Sequence, residues 1–452
     1  MKKTFLSALL AATVLSAPRA NAENIFEALS TAYSSNPTLQ AQRAYLRAVD
    51  ENVAIAKSGY RPNIYLTGSY TDSDVNNDIN PNDEDGTTKS AAAKISQPLF
   101  NGFSTVNSVK SADSNVRAEQ NNLYNVEQNV LLDSSTAYLD VVRDQAIVEL
   151  QKNNEKLLKK RLDETVERFN VGEVTRTDVS QAQARYSQAK ADRIASEGNL
   201  EASKSVYRRI IGNKPENLEE PSNLNEFLPQ TFDEALNYAR GNNYSIRAAK
   251  DILDSRVYNV AANNGALLPS LTLDGTASTS KSDANAYTKD ATVDSVEWGL
   301  NMTVPLYTAG ETRAKIRQSK YQKWQAQEQV LEAERQAVSD VTSSWEYMIT
   351  NKAKIESIKD QIKANEIALD GVQKEEALGN RTILDVLDAY QELLNSNVEE
   401  VKARRDYYVS AMSLLLSMGK LTAEDLKLNV ELYNPKKYYK ETRDKWLSLS
   451  VD

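Results

Sequence analysis

The sequence predicts a mixed fold, a membrane β-barrel with long α-helical coiled coils, and three observations lead there. The chain repeats itself at a constant offset of 207 positions. Each copy holds period-two segments about as long as a bilayer-crossing strand. Each also holds apolar heptads that run on for about 65 residues.

The repeat is written in particular residues. Ala28-Leu29 returns as Ala235-Leu236, Asn36 as Asn243 and Ala41 as Ala248. Pro62, Ile64, Leu66 and Gly68 return as Pro269, Leu271, Leu273 and Gly275, and Pro98-Leu99-Phe100 as Pro305-Leu306-Tyr307. Gly172, Thr175 and Asp178 return as Gly379, Thr382 and Asp385, and Gly212 as Gly419. An offset held over roughly 180 residues marks a tandem duplication. The expected organisation is a signal peptide (1–22), a first repeat (23–228), a second repeat in the same order (229–433) and a short polar tail (434–452).

Composition bounds the function. Lys2 and Lys3, the apolar stretch Phe5 to Leu15 and the small residues around Asn21 read as an export signal cut after Ala22. That stretch falls short of the roughly 20 residues a membrane helix needs. The formal charge of -9 becomes -12 without Lys2, Lys3 and Arg19, which argues against nucleic acid as a partner. The chain has no Cys and no His, so thiolate–imidazole zinc sites and Ser-His or Cys-His nucleophiles are excluded. No cofactor, metal site or catalytic residue is expected. A mean hydropathy of -0.56 leaves the β-barrel as the one permitted membrane structure, because alternating strands hide from hydropathy.

Each repeat reads as helix, strand, loop, strand, very long helix, turn, long helix. The opening helices are expected over Ile25 to Lys57 and Thr231 to Asn264, each stopped by a proline, Pro62 or Pro269. Ile64, Leu66, Gly68 and Tyr70 then alternate with Tyr65, Thr67, Ser69 and Thr71, as Val296, Trp298, Leu300, Met302 and Val304 alternate with polar residues in the second copy. The segment Asp72 to Lys89 reads as a solvated loop. After Pro98 and Pro305 the pattern turns helical, with Leu123, Val126, Val130, Ala137, Val141 and Val148 on one stripe. Val338, Val341, Trp345, Met348, Ile355, Ile362 and Leu369 form its copy. Rods about 100 Å long are expected, broken at Gly172 and Gly379 and resumed over Thr175 to Ile211 and Thr382 to Met418. Prolines at each helix–strand junction suit strand starts and edges. The tail after Asn434 is basic and aromatic and carries no motif.

Four strands per chain cannot close a barrel, and an open edge in lipid strands backbone groups at several kcal/mol each. Membrane strands would therefore force oligomerisation, and a dimer or a trimer would both meet the minimum of about eight strands. The competing reading is a periplasmic coiled-coil protein without a pore, its alternating segments forming a soluble hairpin.

The run from Arg168 through Gly172, Thr175 and Asp178 to Val179 resembles the first helix-turn of the TolC-like outer-membrane efflux and secretion channels, and Gly379 to Ala389 resembles the second. Val304-Pro305-Leu306-Tyr307 with Gly310 resembles their strand-to-helix junction. The resemblance implies an obligate trimer with a 12-stranded barrel in outer-membrane lipid and a 12-helix periplasmic tunnel closed at the two turns. It also implies a periplasmic adaptor, an inner-membrane ABC, RND or MFS pump, and passage of drugs or secreted polypeptides.

At the turns, Thr175-x-x-Asp178 and Thr382-x-x-Asp385 fit capping boxes, and the helix dipole favours a carboxylate there. Asp388 lies beyond capping reach, and its repeat counterpart is Gln181. Asp385 and Asp388 share a helix face, so a trimer would ring its constriction with six carboxylates that favour cations. The family resemblance makes Arg381 the residue that ties neighbouring turns through Thr177 and Asp178. Where the family pattern has Tyr, Glu376 stands, and Arg381 is expected to bridge Glu376 and Asp178. Tyr60, Tyr65 and Tyr70 lie near the expected membrane boundary.

Overall fold

A computed structural model describes residues 23–74, 86–221, 224–283 and 290–450. The signal peptide and the middle of the Asp72–Lys89 loop lie outside the described residues. The chain gathers into two compact units. One takes the chain up to Ala32 with Asp133–Glu226 and Ala353–Asp406. The other takes Tyr33–Leu132, Phe227–Lys352 and the chain from Tyr407 onward. Each unit therefore draws on both sequence repeats.

The opening helices are broken where continuous ones were expected. α1 (Ile25–Ser35) stops before Asn36, and α2 (Pro37–Ser58) starts after it. The Asn36 side chain accepts from the N–H groups of Thr38 and Leu39 while Pro37 fills the first helical position, where its missing donor costs nothing. In the second copy, Asn243 separates α5 (Phe232–Asn242) from α6 (Tyr244–Gly265), accepting from Ser245 and Ile246. Hydrophobic periodicity runs through both breaks, which are made by a local side-chain cap.

Four antiparallel strands follow in the order β1 (Asn63–Ser73), β2 (Gly86–Asn101), β3 (Ser270–Ser282) and β4 (Ala291–Thr303). Asn63 faces Ser96, Ala93 faces Ala277, and Ser270 faces Thr303, so the β2–β3 ladder joins the two copies in one sheet. β1 and β4 are its outer strands. Ile64, Leu66 and Tyr70 on β1, and Val296, Trp298, Leu300 and Met302 on β4, are large apolar side chains left exposed at every second or fourth position. Asp72, Ser73 and residues 86–89 extend the strands, so the loop is shorter than expected. Pro62 and Pro269 immediately precede β1 and β3, as expected, and Pro305 follows β4. Pro98 differs: it sits inside β2 at a register shift, opposite Thr272. The β1 ladder has ended at Ser96, so Pro98 occupies a strand with one neighbour, where a missing N–H is tolerated.

The chain leaves β2 through Gly102, whose φ is +62°. A Cβ there would collide with the Gly265 carbonyl, so glycine permits the two backbones to touch. α3 (Ser104–Asn170) and α7 (Glu311–Ala377) each run 67 residues, about 100 Å. α4 (Arg176–Ile211) and α8 (Ile383–Met418) run 36 residues each. Of the expected stripes, Leu123, Val130, Ala137, Val141 and Val148 on α3 and Val341, Met348 and Leu369 on α7 are buried, while Val126, Val338, Trp345, Ile355 and Ile362 are partly buried. α9 (Lys437–Thr442) packs on α2.

Candidate gate at the two helix turns

Both turns lie in the unit that contains Asp133–Glu226 and Ala353–Asp406. In the first, the Gly172 N–H donates to the Phe169 carbonyl and the Glu173 N–H to that of Arg168, which closes the C-terminus of α3. The second repeats this with Gly379 donating to Glu376 and Asn380 to Glu375. Gly172 and Gly379 have φ of +81° and +79°, the left-handed conformation in which a side chain is strained.

The helices restart on matched caps. Thr175 accepts from the Asp178 N–H at 3.3 Å, while the Thr175 N–H donates to the Asp178 carboxylate at 2.8 Å. Thr382 and Asp385 reproduce these distances. The backbone N–H of Thr382, then its hydroxyl, then Arg381, hold the Asp385 carboxyl below its ordinary range, because each stabilises the charged form.

Around this common frame the charges differ. Arg168, in the last turn of α3, donates to Glu376 at 2.6 Å and more weakly to Glu173 at 3.3 Å. Arg381 donates instead to Glu375 at 2.9 Å. The expected Arg381–Glu376 bridge is thus replaced by two others. Adjacent residues on a helix point about 100° apart, so Glu376 meets α3 while its neighbour Glu375 meets the turn. Asp178 is held by Thr175, and Thr177 is exposed. Asp388 is exposed and paired with Arg185 of α4. Arg161 stacks over Tyr390, 5.6 Å from its ring centre, and donates to its hydroxyl at 3.2 Å. Leu158, Ala189 and Leu387 form the apolar contact beneath, flanked by Leu157 and Ile383.

Sequence reasoning placed the glycines and the caps, including that of Asp385, and did not single out Arg168, Arg185, Glu375 or Tyr390. One signal was present: Arg168 and Glu375 occupy equivalent repeat positions with opposite charge, as do Arg185 and Glu392. A duplicated position that reverses charge suits a pair formed across the copies.

Tandem strand pairs, paired rods and mirrored turns define a duplicated outer-membrane channel protein. The Outer membrane efflux protein family matches residues 28–213 and 235–420, one match per repeat, and the chain belongs to that family. It is 37% identical over 441 residues to the outer membrane efflux protein BepC of Brucella suis biovar 1, covering 98% of this chain and 95% of that one. It is 28% identical to the outer membrane protein TolC of Escherichia coli, covering 92% and 86%. The solved structure of the Campylobacter jejuni CmeC outer membrane channel superposes with a TM-score of 0.78 at 16% identity, covering 94% of this chain and 90% of that one. The protein is therefore an outer-membrane efflux or secretion channel with a periplasmic helical domain, not an enzyme. The reading as a coiled coil without a pore is set aside.

Proposed function

We propose that three copies of this chain close one barrel and one helical tunnel, forming a duct that a periplasmic adaptor joins to an inner-membrane ABC, RND or MFS pump. Drugs, secreted polypeptides or both are its cargo. The two outer strands of a four-stranded sheet support oligomerisation, since lipid offers nothing to pair their backbone groups. The duct is gated at the turns after Gly172 and Gly379, where Arg381 reaches Thr177 and Asp178 of a neighbouring copy and Arg168–Glu376 ties the two turns of one copy. Asp385 supplies the carboxylate ring, and Asp388 joins it with its charge offset by Arg185.

The observation that carries this reading is the pair of turns, alike in backbone and cap but unlike in charge. Two experiments test it. Cells deprived of the chain should retain a fluorescent efflux dye, and restoring the gene should clear it. Detergent-extracted protein should migrate as a trimer and give discrete current steps in a planar bilayer. A monomer that gives no steps would end the proposal.

A further inference from the structure

The residues after Asn434 lie beyond the last position matched by the family. They are nevertheless built into the protein. Thr442 is fully buried, the Tyr438 hydroxyl donates to Glu51 of α2, and the Tyr439 hydroxyl donates to Asp113 of α3. Beyond α9 the chain is held twice more. Lys57 pairs with Asp444, and the Arg61 guanidinium donates to the Lys445 carbonyl at 2.9 Å. The same guanidinium lies 4.7 Å from the centre of the Trp446 ring.

Arg61 is one residue before Pro62, and β1 begins at Asn63. The tail is thus fastened to the foot of a membrane strand. From there Trp446, Leu447 and Leu449 are 66%, 95% and 100% exposed, three large apolar side chains turned mostly to the surroundings. The strand–helix junctions around this end of the sheet are apolar too: Tyr60, Phe103, Leu268 and Leu306 are exposed. The repeat sharpens the point. The position equivalent to Arg61 is Leu268, already apolar, and the position equivalent to Lys57 is Asn264. Of the two positions, only the first copy's carry cations, and the tail meets both, Trp446 lying over Arg61 and Asp444 pairing with Lys57.

We propose that the C-terminal segment is a lipid anchor: Trp446, Leu447 and Leu449 enter the periplasm-facing leaflet of the outer membrane beside the start of β1. Trp favours the membrane–water interface, where its ring is apolar and its N–H stays wet. Arg61 and Lys445 stand at headgroup level, where long cationic side chains meet phosphates while their stems lie along apolar surface. The occupant is lipid because Arg61 holds the segment two residues before β1, whose Ile64 and Leu66 are themselves exposed and apolar. The anchor restores on the first repeat the apolar collar that Leu268 provides on the second.

The absence of cysteine gives a clean test. Full-length protein carrying a nitroxide at Leu449→Cys would be reconstituted in vesicles of phosphatidylethanolamine and phosphatidylglycerol. Collisions with oxygen, which partitions into lipid, would be compared with collisions with a water-soluble nickel chelate. A label at Leu300→Cys on β4 serves as the lipid reference and one at Lys363→Cys on α7 as the aqueous reference. The anchor requires Leu449 to resemble Leu300, with oxygen preferred several-fold, and Arg61→Ala to move it toward the nickel profile with an unchanged circular dichroism spectrum. A profile like that of Lys363 would overturn the anchor and leave the strands in lipid. Exclusion of both probes would also overturn it, assigning the patch to a neighbouring subunit. A Leu300 label reached by nickel would instead contradict the membrane siting of the strands.

Discussion

The two turns are copies in backbone and strangers in charge. Gly172 and Gly379 share the same left-handed bend, and Thr175–Asp178 and Thr382–Asp385 share the same cap to within the same distances. Yet Arg168 faces a counterpart of opposite sign in Glu375, Phe169 corresponds to Glu376, Val174 to Arg381, and Gln181 to Asp388. Duplication preserved what a turn needs in order to fold. Divergence set a carboxylate of the second copy against an arginine of the first, Glu376 against Arg168 and Asp388 against Arg185.

If the shared frame is backbone geometry, the two copies should respond alike when it is broken. Gly172→Val and Gly379→Val should each destabilise their turn by about 1–2 kcal/mol. A Cβ at either site meets no neighbour, so strain alone is being read. Hydrogen exchange at the turn amides checks this, and a cost at only one turn would break the symmetry. Thr175→Ala and Thr382→Ala should each cost about 1 kcal/mol of helix-start stability, seen as faster exchange at the first amides of α4 and α8.

The charges should respond differently. Arg168→Ala should loosen the turns by less than about 1 kcal/mol, since the guanidinium is part-exposed, and the effect should fade in high salt. Opening frequency in bilayers at low and high salt measures it. Glu376→Ala should match Arg168→Ala, whereas Arg381→Ala should leave the Arg168–Glu376 contact intact.

The smallest effect is that of acid. Because Asp385 titrates below the ordinary aspartate value of 3.8, its cap contributes above that value and is lost as pH falls through its depressed native pKa. Exchange at the start of α8 should therefore accelerate only in strong acid, and Asp385→Asn should flatten that dependence.

The sequence made periodic elements legible because strands, rods and caps are each set by residues close in the chain. Thr175 predicts its cap with Asp178 three residues away, and α4 and α8 begin where their threonines indicate. The breaks at Asn36 and Asn243 leave no mark on the periodicity, because a side-chain cap interrupts a helix without disturbing its apolar stripe. Pro98 was misplaced for a related reason: its tolerance depends on where the neighbouring strand ends. Arg185–Asp388 and Arg168–Glu376 join residues more than 200 positions apart, and Arg61–Trp446 nearly 400. No spacing rule within one helix reports such pairs.

The proposal that the second turn supplies the carboxylates that set the pore's selectivity is tested most directly by reversal potentials across a salt gradient. Wild-type protein would be compared with Asp385→Asn, Arg185→Gln and Asp178→Asn. The expected order is a cation preference in the wild type, reduced by Asp385→Asn, increased by Arg185→Gln as Asp388 is released, and little altered by Asp178→Asn. An unchanged reversal potential in Asp385→Asn, or an equal shift in Asp178→Asn, would contradict the division of labour between the two turns.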